Sequence, residues 1–321
     1  MLRASILLLT GVLSLCLSGQ TPSFSSDVRE VSLLATVRDA STGAIVRDLN
    51  KDDFVLEEDG RPQTIRYFSQ ESDLPLVLTF LVDTSQSMRP MFAEERAGSL
   101  RFLDRVIRED KDVAAVVHFD VRVGTLQDFT SSREKLAVAL NRLKIPPRLQ
   151  VGTLLYRGIR DSSEDLMRKR EGRKAFILLS DGMDFAGRPR GKKNATDRTT
   201  ISTAIEYAQR ADTLIYSILY NRRIMSGKET GGTNIHIGPA PNRGPKVMER
   251  LARETGGGYF AVTTEVSLDR IFDQIEEELR HQYSIGYVPD GPAASGEFRK
   301  IKLTPVRKGL VVRTRDGYYA R

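Results

Sequence analysis

Residues 76–88, LVLTFLVDTSQSM, begin as an apolar run and end in a cluster of oxygen-bearing side chains. Six of the seven positions from 76 to 82 are apolar, which is typical of a strand buried on both faces of a sheet. An aspartate and three hydroxyl residues follow at positions 83, 84, 85 and 87. Because ligands of open parallel sheets bind beyond the carboxyl ends of the strands, the segment predicts a core strand that leads into a binding loop.

Similar apolar runs recur at 113–119, 175–180 and 213–219, with helical periodicities between and after them. Apolar residues three or four apart predict helices over 92–107, 155–166 and 268–279, and Ser267 is a candidate N-cap for the last one. Strands buried on both faces and separated by amphipathic helices indicate a mostly parallel sheet that is covered on both sides. We therefore predict a doubly wound α/β domain over residues 75–281.

The flanks of this domain have the pattern of short strands. Residues 28–72 contain Asp59-Gly60 between two strand-like runs, which is a hairpin signal. Residues 282–321 contain three strand candidates, QYSIGYVPD, FRKIKLTPV and LVVRTRDGYYA. Either flank alone would bury little apolar surface, so we predict that the two pack together as one small β domain. Two independent β caps are the alternative.

Residues 1–19 have the features of a secretory signal peptide. Arg3 precedes an apolar stretch from Ile6 to Leu17, and small residues follow at a candidate cleavage point. The stretch is short for a stable membrane anchor, so we predict an exported chain, periplasmic or extracellular, with no transmembrane anchor after cleavage. An uncleaved signal anchor is one alternative. A lipoprotein attached through Cys16, the only cysteine, is another, although Leu15 stands where such sites have a small residue.

The formal net charge is +7, and basic residues concentrate in three places. These are segments 168–173 and 188–193 and a loop-like stretch that contains Arg222, Arg223, Lys228, Arg243 and Lys246. Such clusters fit an acidic protein, an anionic lipid surface or a solvated basic face. We predict no nucleic-acid partner, because exported chains rarely meet nucleic acid and no aromatic residues alternate with the basic ones.

Like residues 83–87, two further segments carry oxygen-bearing side chains where a predicted strand ends or a helix is about to begin. The strand at 175–180 stops at Asp181-Gly182, and Gly152-Thr153 lies in a loop before a predicted helix. Each residue taken alone is also typical of a helix N-cap. Taken together, the side chains predict a site for a hard divalent cation, Mg²⁺ first and Mn²⁺ or Ca²⁺ as alternatives. The candidate ligands are Asp83, Ser85, Ser87, Thr153 and Asp181.

The segments DTSQS, GT and SDG resemble the metal-ion-dependent adhesion site (MIDAS) of von Willebrand factor type A domains, and the order of strands and helices agrees over residues 75–281. The flanks resemble an exported family of type A-related proteins known especially from acidobacteria. The resemblance implies that Ser85, Ser87 and Thr153 contact the metal and that Asp83 and Asp181 hold it through water. Gln86 departs from the family, because many of these sites have glycine there.

The same resemblance implies that an open coordination position accepts a carboxylate from a protein partner. Loops 184–199 and 220–245 would rim the site and attract an acidic segment through Arg188, Arg190, Lys192, Lys193, Arg222 and Arg223. Asp184, close to the site, is predicted to be a solvated loop carboxylate.

We predict a binding module for adhesion or assembly and no enzyme, because the sequence has no nucleophile elbow and no glycine-rich phosphate loop. One alternative is a structural scaffold with a vestigial site. A metal-assisted hydrolase is the other alternative. By analogy with relatives of the family, helix 267–281 is the candidate element to move on binding.

Overall fold

The computed structural model describes residues 30–70, 74–147, 152–185, 199–220, 243–291 and 294–320. Several predictions fall on other residues and therefore lie outside the described part of the chain. They are the signal peptide at 1–19 with Cys16 and the basic loop residues Arg188, Arg190, Lys192, Lys193, Arg222 and Arg223.

The strands fall into three groups along the chain. The first four are β1 (Val31–Asp39), β2 (Phe54–Glu58), β3 (Arg61–Gln63) and β4 (Ile65–Ser69). The next six are β5 (Leu76–Asp83), β6 (Val113–Phe119), β7 (Val123–Thr130), β8 (Arg173–Ser180), β9 (Thr213–Leu219) and β10 (Tyr259–Ala261). The last four are β11 (Tyr283–Tyr287), β12 (Phe298–Pro305), β13 (Leu310–Arg313) and β14 (Gly317–Tyr319).

The middle group forms one sheet in the order β10-β9-β8-β5-β6-β7. Every neighbouring pair is parallel except β6 and β7, which are antiparallel. All eight residues of β5 are buried, because β5 is bonded on both edges and covered on both faces. This position accounts for the unbroken apolar run in the sequence, and the predicted mostly parallel sheet is confirmed.

Six helices of the described chain accompany this sheet. They are α1 (Phe92–Val106), α2 (Arg133–Arg142), α3 (Leu155–Asp165), α4 (Ile201–Arg210), α5 (Arg243–Thr255) and α6 (Leu268–Arg280). Apolar residues of α1, α2 and α6 pack on one face of the sheet, and those of α3, α4 and α5 pack on the other. The predicted doubly wound arrangement is therefore confirmed. Among the described helices, none combines the length and the apolar character needed to cross a bilayer.

The two flanks form a separate pair of antiparallel sheets with the orders β13-β1-β11-β4 and β14-β12-β2-β3. Each sheet takes strands from both flanks, since β1 pairs with β11 in one sheet and β2 pairs with β12 in the other. The apolar residues of both sheets share one core, which includes Leu33, Leu56, Tyr283, Ile285 and Tyr287. The prediction that the flanks pack together as one β domain is confirmed.

The prediction of one continuous third strand in the C-terminal flank is wrong, because the structure has two strands there. Residues 310–313 pair with β1 in one sheet, and residues 317–319 pair with β12 in the other. The chain crosses between the sheets over the residues in between, where Thr314 donates to the carbonyl of Leu34 at 2.9 Å and Arg315 donates to Asp212 at 2.7 Å. One sequence run therefore serves two sheets.

A buried carboxylate joins the α/β domain to the β domain. Glu278 of α6 has 1% of its side chain exposed and accepts a hydrogen bond from Arg38 of β1 at 2.7 Å. Arg313 of β13 donates to the same oxygen. Nearby, Arg47 and Glu277 form a more exposed ion pair at 2.9 Å. The last helix of the α/β domain is thus fixed to two strands of the neighbouring domain.

A second buried carboxylate lies at the edge of the sheet where β5 starts. Asp112 accepts hydrogen bonds from the backbone N–H groups of Leu76 and Arg108, each at 2.9 Å, and from the guanidinium of Arg280 at 2.6 Å. Arg280 also donates to the carbonyl of Val106 at 2.6 Å. These contacts join the start of β5 to the ends of α1 and α6. They lie at the opposite end of β5 from Asp83.

The inward face of α1 differs from the predicted one. The apolar spacing places Ala93 and Ala97 on the buried face, but Ala93 is exposed and Glu95, Gly98 and Ser99 are buried. The close approach of α6 is the physical reason, because a Cβ atom on Gly98 would lie 2.3 Å from the side chain of Leu268. The helix is therefore turned to bring its small residue against α6.

Three predicted basic surface residues have other positions. Arg173 is buried at 2% exposure in β8 and donates to the carbonyl groups of Leu279 and Gln282, so it contributes nothing to a basic face. Arg243 and Lys246 lie in α5 and not in a loop. This segment forms a helix because its buried residues recur at helical intervals.

We expect the Ser267→Ala protein to lose about 1 kcal/mol of unfolding free energy, because the Ser267 hydroxyl accepts the backbone N–H of Arg270 at the start of α6. Thermal unfolding followed by circular dichroism measures this loss. The Ser267→Thr protein retains the hydroxyl and is the matched control. A Ser267→Ala protein as stable as the control would show that this cap contributes nothing.

Candidate functional site

The candidate site lies where β5 ends at the carboxyl edge of the sheet. Asp83 is the last residue of β5, and a short 3-10 turn over Gln86–Met88 separates it from α1. The polar residues come here because the strand must leave the apolar core before the helix starts. Asp83 and Thr84 are fully buried, and Ser85 is 3% exposed.

The carboxylate of Asp83 is held on both of its oxygens. Oδ1 accepts the backbone N–H of Ser85 at 2.9 Å, and Oδ2 accepts the hydroxyl of Ser180 at 2.6 Å. Ser180 ends the neighbouring strand β8, and its hydroxyl also accepts the N–H of Gly182 at 3.0 Å. Ser180 is not among the predicted site residues, although it directly precedes Asp181 in the SDG segment.

The two serines of the loop connect Asp83 to Asp181. The hydroxyl oxygens of Ser85 and Ser87 lie 3.0 Å apart, and Ser87 hydrogen bonds to the carboxylate of Asp181. Asp181 also accepts the backbone N–H of Met183 at 3.0 Å. Four of the five predicted side chains therefore form one hydrogen-bonded group across β5 and β8.

Thr153, the fifth predicted ligand, is paired through its backbone with the loop that follows Asp181. Its N–H donates to the carbonyl of Phe185 at 2.7 Å, and its carbonyl accepts the N–H of Phe185 at 2.8 Å. Phe185 follows Asp181 by four residues, so the pairing places Thr153 beside the loop that carries Asp181. Thr153 itself is 6% exposed.

The loops on either side of the site carry two further polar residues, Gln86 and Asp184. Gln86 is not among the described residues with positive φ, so the loop accepts a side chain there without backbone strain. Its amide donates to the carbonyl of Pro146, away from the serines. Asp184 accepts the backbone N–H of Tyr156 at 3.0 Å, so the prediction of a merely solvated carboxylate is wrong. An acceptor in this position satisfies a free donor at the start of α3.

A contact between two glycines fixes the loop that carries Asp181. Gly182 has a φ of +76°, and a Cβ atom there would lie 2.4 Å from the carbonyl oxygen of Gly244. A Cβ atom on Gly244 would in turn lie 2.1 Å from the carbonyl oxygen of Asp181. The loop after β8 therefore packs backbone to backbone on the first turn of α5.

The electrostatics of the site are those of a buried acid, Asp83, next to a half-buried one, Asp181. Burial, followed by the negative charge of Asp181, raises the pKa of Asp83 above its ordinary value, although the hydrogen bonds from Ser180 and Ser85 oppose the shift. Burial also raises the pKa of Asp181, against the hydrogen bond from Ser87. Within the described ranges, no lysine or arginine is among the causes of either shift.

The donor set fits a hard cation held mainly by hydroxyl groups. In the described residues, no three His, Cys, Asp or Glu side chains gather closely enough to hold a metal ion. The group around Asp83 instead combines two carboxylates with two serine hydroxyls, all of them oxygen donors suited to Mg²⁺, Mn²⁺ or Ca²⁺. A divalent cation would also offset the repulsion between the two carboxylates.

The chain is similar to solved structures of a thread matrix protein and of two pilus proteins. Proximal thread matrix protein 1 from the mussel byssus, in a structure with a zinc-occupied MIDAS motif, is 14% identical with a TM-score of 0.48, over 69% of this chain and 49% of that chain. The chain thus spans about half the length of the mussel protein. The vWF domain of the type V pili tip protein Mfa5 from Porphyromonas gingivalis is 14% identical with a TM-score of 0.47, over 69% of this chain and 98% of that chain.

The PilB minor pilin from Streptococcus sanguinis is 14% identical with a TM-score of 0.44, over 68% of this chain and 63% of that chain. Likenesses this distant do not transfer a function. No match was found among curated proteins. The similarity of the flanks to the acidobacterial family stays a prediction.

The family described as von Willebrand factor type A domain matches residues 78–183. This range runs from the middle of β5 to the loop after β8 and includes all five predicted ligands. The sequence match and the observed order of the central sheet agree with each other. The chain therefore contains a von Willebrand factor type A domain.

Proposed function

We propose that the chain is an exported protein-binding module that acts in adhesion or assembly and recognises an acidic partner through Mg²⁺. The supporting observation is the group of two acids and two serine hydroxyls at the carboxyl end of the sheet, in which Asp83 is buried and bonded to Ser85 and Ser180. Mn²⁺ and Ca²⁺ are the alternative ions for the same oxygen donors.

In this proposal each side chain of the site has a defined task. Ser85, Ser87 and Thr153 would hold the cation directly, and Asp83 and Asp181 would hold it through water. Neutral hydroxyls leave the positive charge of the ion less compensated than carboxylates would. The chemistry that a bound Mg²⁺ would supply is a coordination position for one carboxylate oxygen of the partner.

The predominance of hydroxyls also favours binding over catalysis in this proposal. Metal-assisted hydrolases usually place several carboxylates directly on their metal ions, whereas here the hydroxyls outnumber the carboxylates. The basic loop residues Arg188, Arg190, Lys192, Lys193, Arg222 and Arg223 would attract the remaining acidic groups of the partner.

We expect Mg²⁺ to raise the melting temperature of the wild-type protein relative to protein in chelator and to leave Asp83→Ala unchanged. A ligand that binds only the folded state at a hundred times its Kd stabilises that state by about 2.7 kcal/mol. Differential scanning calorimetry measures the shift, with isothermal titration giving the Kd. The Asp128→Ala protein, which loses an exposed carboxylate on β7, is the matched control and should respond like wild type.

Equal responses of wild type and Asp83→Ala would contradict the metal site. Partner recognition is tested by capture from cell-envelope extracts with Mg²⁺ or chelator, using the same proteins as bait. The proposal expects capture that chelator and Asp83→Ala both abolish. Capture that is indifferent to chelator would instead support a structural scaffold with a vestigial site.

A further inference from the structure

The first turn of α1, which follows the candidate site in the chain, carries the buried acid Glu95. Glu95 is 1% exposed, and neither of its carboxylate oxygens has a hydrogen-bond partner among the described residues. Within the same part of the chain, the buried hydroxyls of Ser99 and Tyr220 also lack a partner. Ser99 lies one helical turn after Glu95 on the same face of α1, so their side chains are neighbours.

Such an arrangement is unfavourable for folding alone. Buried polar groups without hydrogen bonds destabilise a folded protein, and an apolar side chain of similar size would usually be more stable there. The rest of the cluster around Tyr220 is apolar and includes Phe80, Phe102 and Met88. A buried glutamate without a described hydrogen-bond partner therefore calls for an explanation other than packing.

The charges around Glu95 relate it to the metal site. Burial, followed by the negative charge of Asp83, raises the pKa of Glu95 well above its ordinary value. Burial, followed by the negative charges of Glu95, Glu94 and Asp269, raises the pKa of Tyr220, which directly follows β9. Arg101 is the cation that acts on Tyr220, but it donates to both carboxylate oxygens of Asp269 at 2.9 Å.

Asp83 and Glu95 are buried acids at this end of the domain, and Asp181 is a half-buried one. No basic group of the described chain is among the causes of their pKa shifts. Asp83 and Asp181 belong to the hydrogen-bonded group of the site, whereas Glu95 lies on α1. A cation bound at Asp83 and Asp181 would favour the ionised form of Glu95, and the ionised side chain would act on that cation through the electric field and not through contact.

We propose that Glu95 is a positioning residue of the metal site, whose buried carboxylate strengthens the attraction of the site for a divalent cation at the expense of the stability of the metal-free protein. This inference rests on the proposed function, because it requires a cation at Asp83 and Asp181. It extends the set of residues that decide metal affinity to a side chain outside the loop segments DTSQS, GT and SDG.

The test compares Glu95→Gln, Glu95→Leu and the control Ser99→Ala with the wild-type protein. Glu95→Gln preserves the shape of the side chain and removes the charge, so we expect Mn²⁺ affinity about tenfold weaker by isothermal titration. Glu95→Leu should weaken Mn²⁺ binding by a similar factor and melt a few degrees higher than wild type in chelator. Ser99→Ala removes a polar group without charge and should bind Mn²⁺ within about twofold of wild type.

A merely structural role for Glu95 predicts the opposite sign for the metal-free protein. If Glu95→Leu melts below wild type in chelator, or if Glu95→Gln binds Mn²⁺ as tightly as wild type, this inference is wrong. The Asp83→Ala protein separates the two proposals. Loss of Mn²⁺ binding in Asp83→Ala alone would support the proposed function and overturn the role of Glu95, whereas unchanged binding in Asp83→Ala would overturn both.

Discussion

The Asp112→Ala protein should lose about 3–5 kcal/mol of unfolding free energy, because removing one member of a buried ion pair leaves its partners without compensation. Asp112 is fully buried and receives hydrogen bonds from Leu76, Arg108 and Arg280. Its loss would release the start of β5 and the end of α6 together. Chemical unfolding in urea measures the change, and Asp110→Ala, an exposed acid in the same turn, should stay within about 0.5 kcal/mol of wild type.

The same carboxylate should make stability depend on pH in the acid range. Although burial opposes it, the hydrogen bonds from Arg280 and Arg108 lower the pKa of Asp112 to about 2 from 3.8. Because the folded-state pKa is lowered, this stabilisation is present above about pH 4 and is lost as the pH falls towards about 2. The contribution is about 2 kcal/mol. The Asp112→Asn protein should lack this part of the acid dependence, and an unchanged profile would contradict the assignment.

The second large effect is expected at Gly182. The Gly182→Ala protein should lose about 2–4 kcal/mol, because the substitution adds both the strain of a positive φ and a clash with the carbonyl of Gly244. Gly309→Ala is the matched control, since Gly309 has a φ of +78° and nothing within 4 Å of an added Cβ atom. The control should lose only about 1 kcal/mol.

The difference between these two glycine variants isolates the close packing of the loop on α5. Melting temperatures give the difference in stability, and Mg²⁺ titration shows whether the displaced loop also moves Asp181. We expect Gly182→Ala to bind Mg²⁺ more weakly than wild type and Gly309→Ala to bind it normally. Equal losses of stability in both variants would show that the contact with Gly244 is not a constraint.

The parallel core could be predicted from the sequence because its strands are apolar on both faces. The edge strand β7 could not, because none of its residues is fully buried and it includes Gly124 and Asp128. Helix α5 was not predicted, because its exposed face is basic and its first turn contains Gly244 and Pro245. The spacing of Met248, Leu251 and Ala252 was the available signal for this helix.

The site was predictable only where its residues follow a strand. Asp83 and Asp181 can be recognised because each directly ends an apolar run. Ser180 could not be assigned, because its contact with Asp83 joins residues 97 positions apart in the chain. Glu95 could not be assigned either, since a glutamate beside Glu94 in a helix is usually exposed. Its burial depends on the rotation of α1 against α6, which local sequence does not encode.

The meeting of β5 and α6 at Asp112 has a mechanical consequence. Both covalent links to the β domain leave the α/β domain at this edge, whereas the candidate site lies at the far end of β5. Tension between a captured partner and the β domain would thus run lengthwise along β5, which is bonded on both sides to β6 and β8. The force would load the hydrogen bonds of both ladders in shear and all at the same time. The central strand is therefore suited to resist pulling.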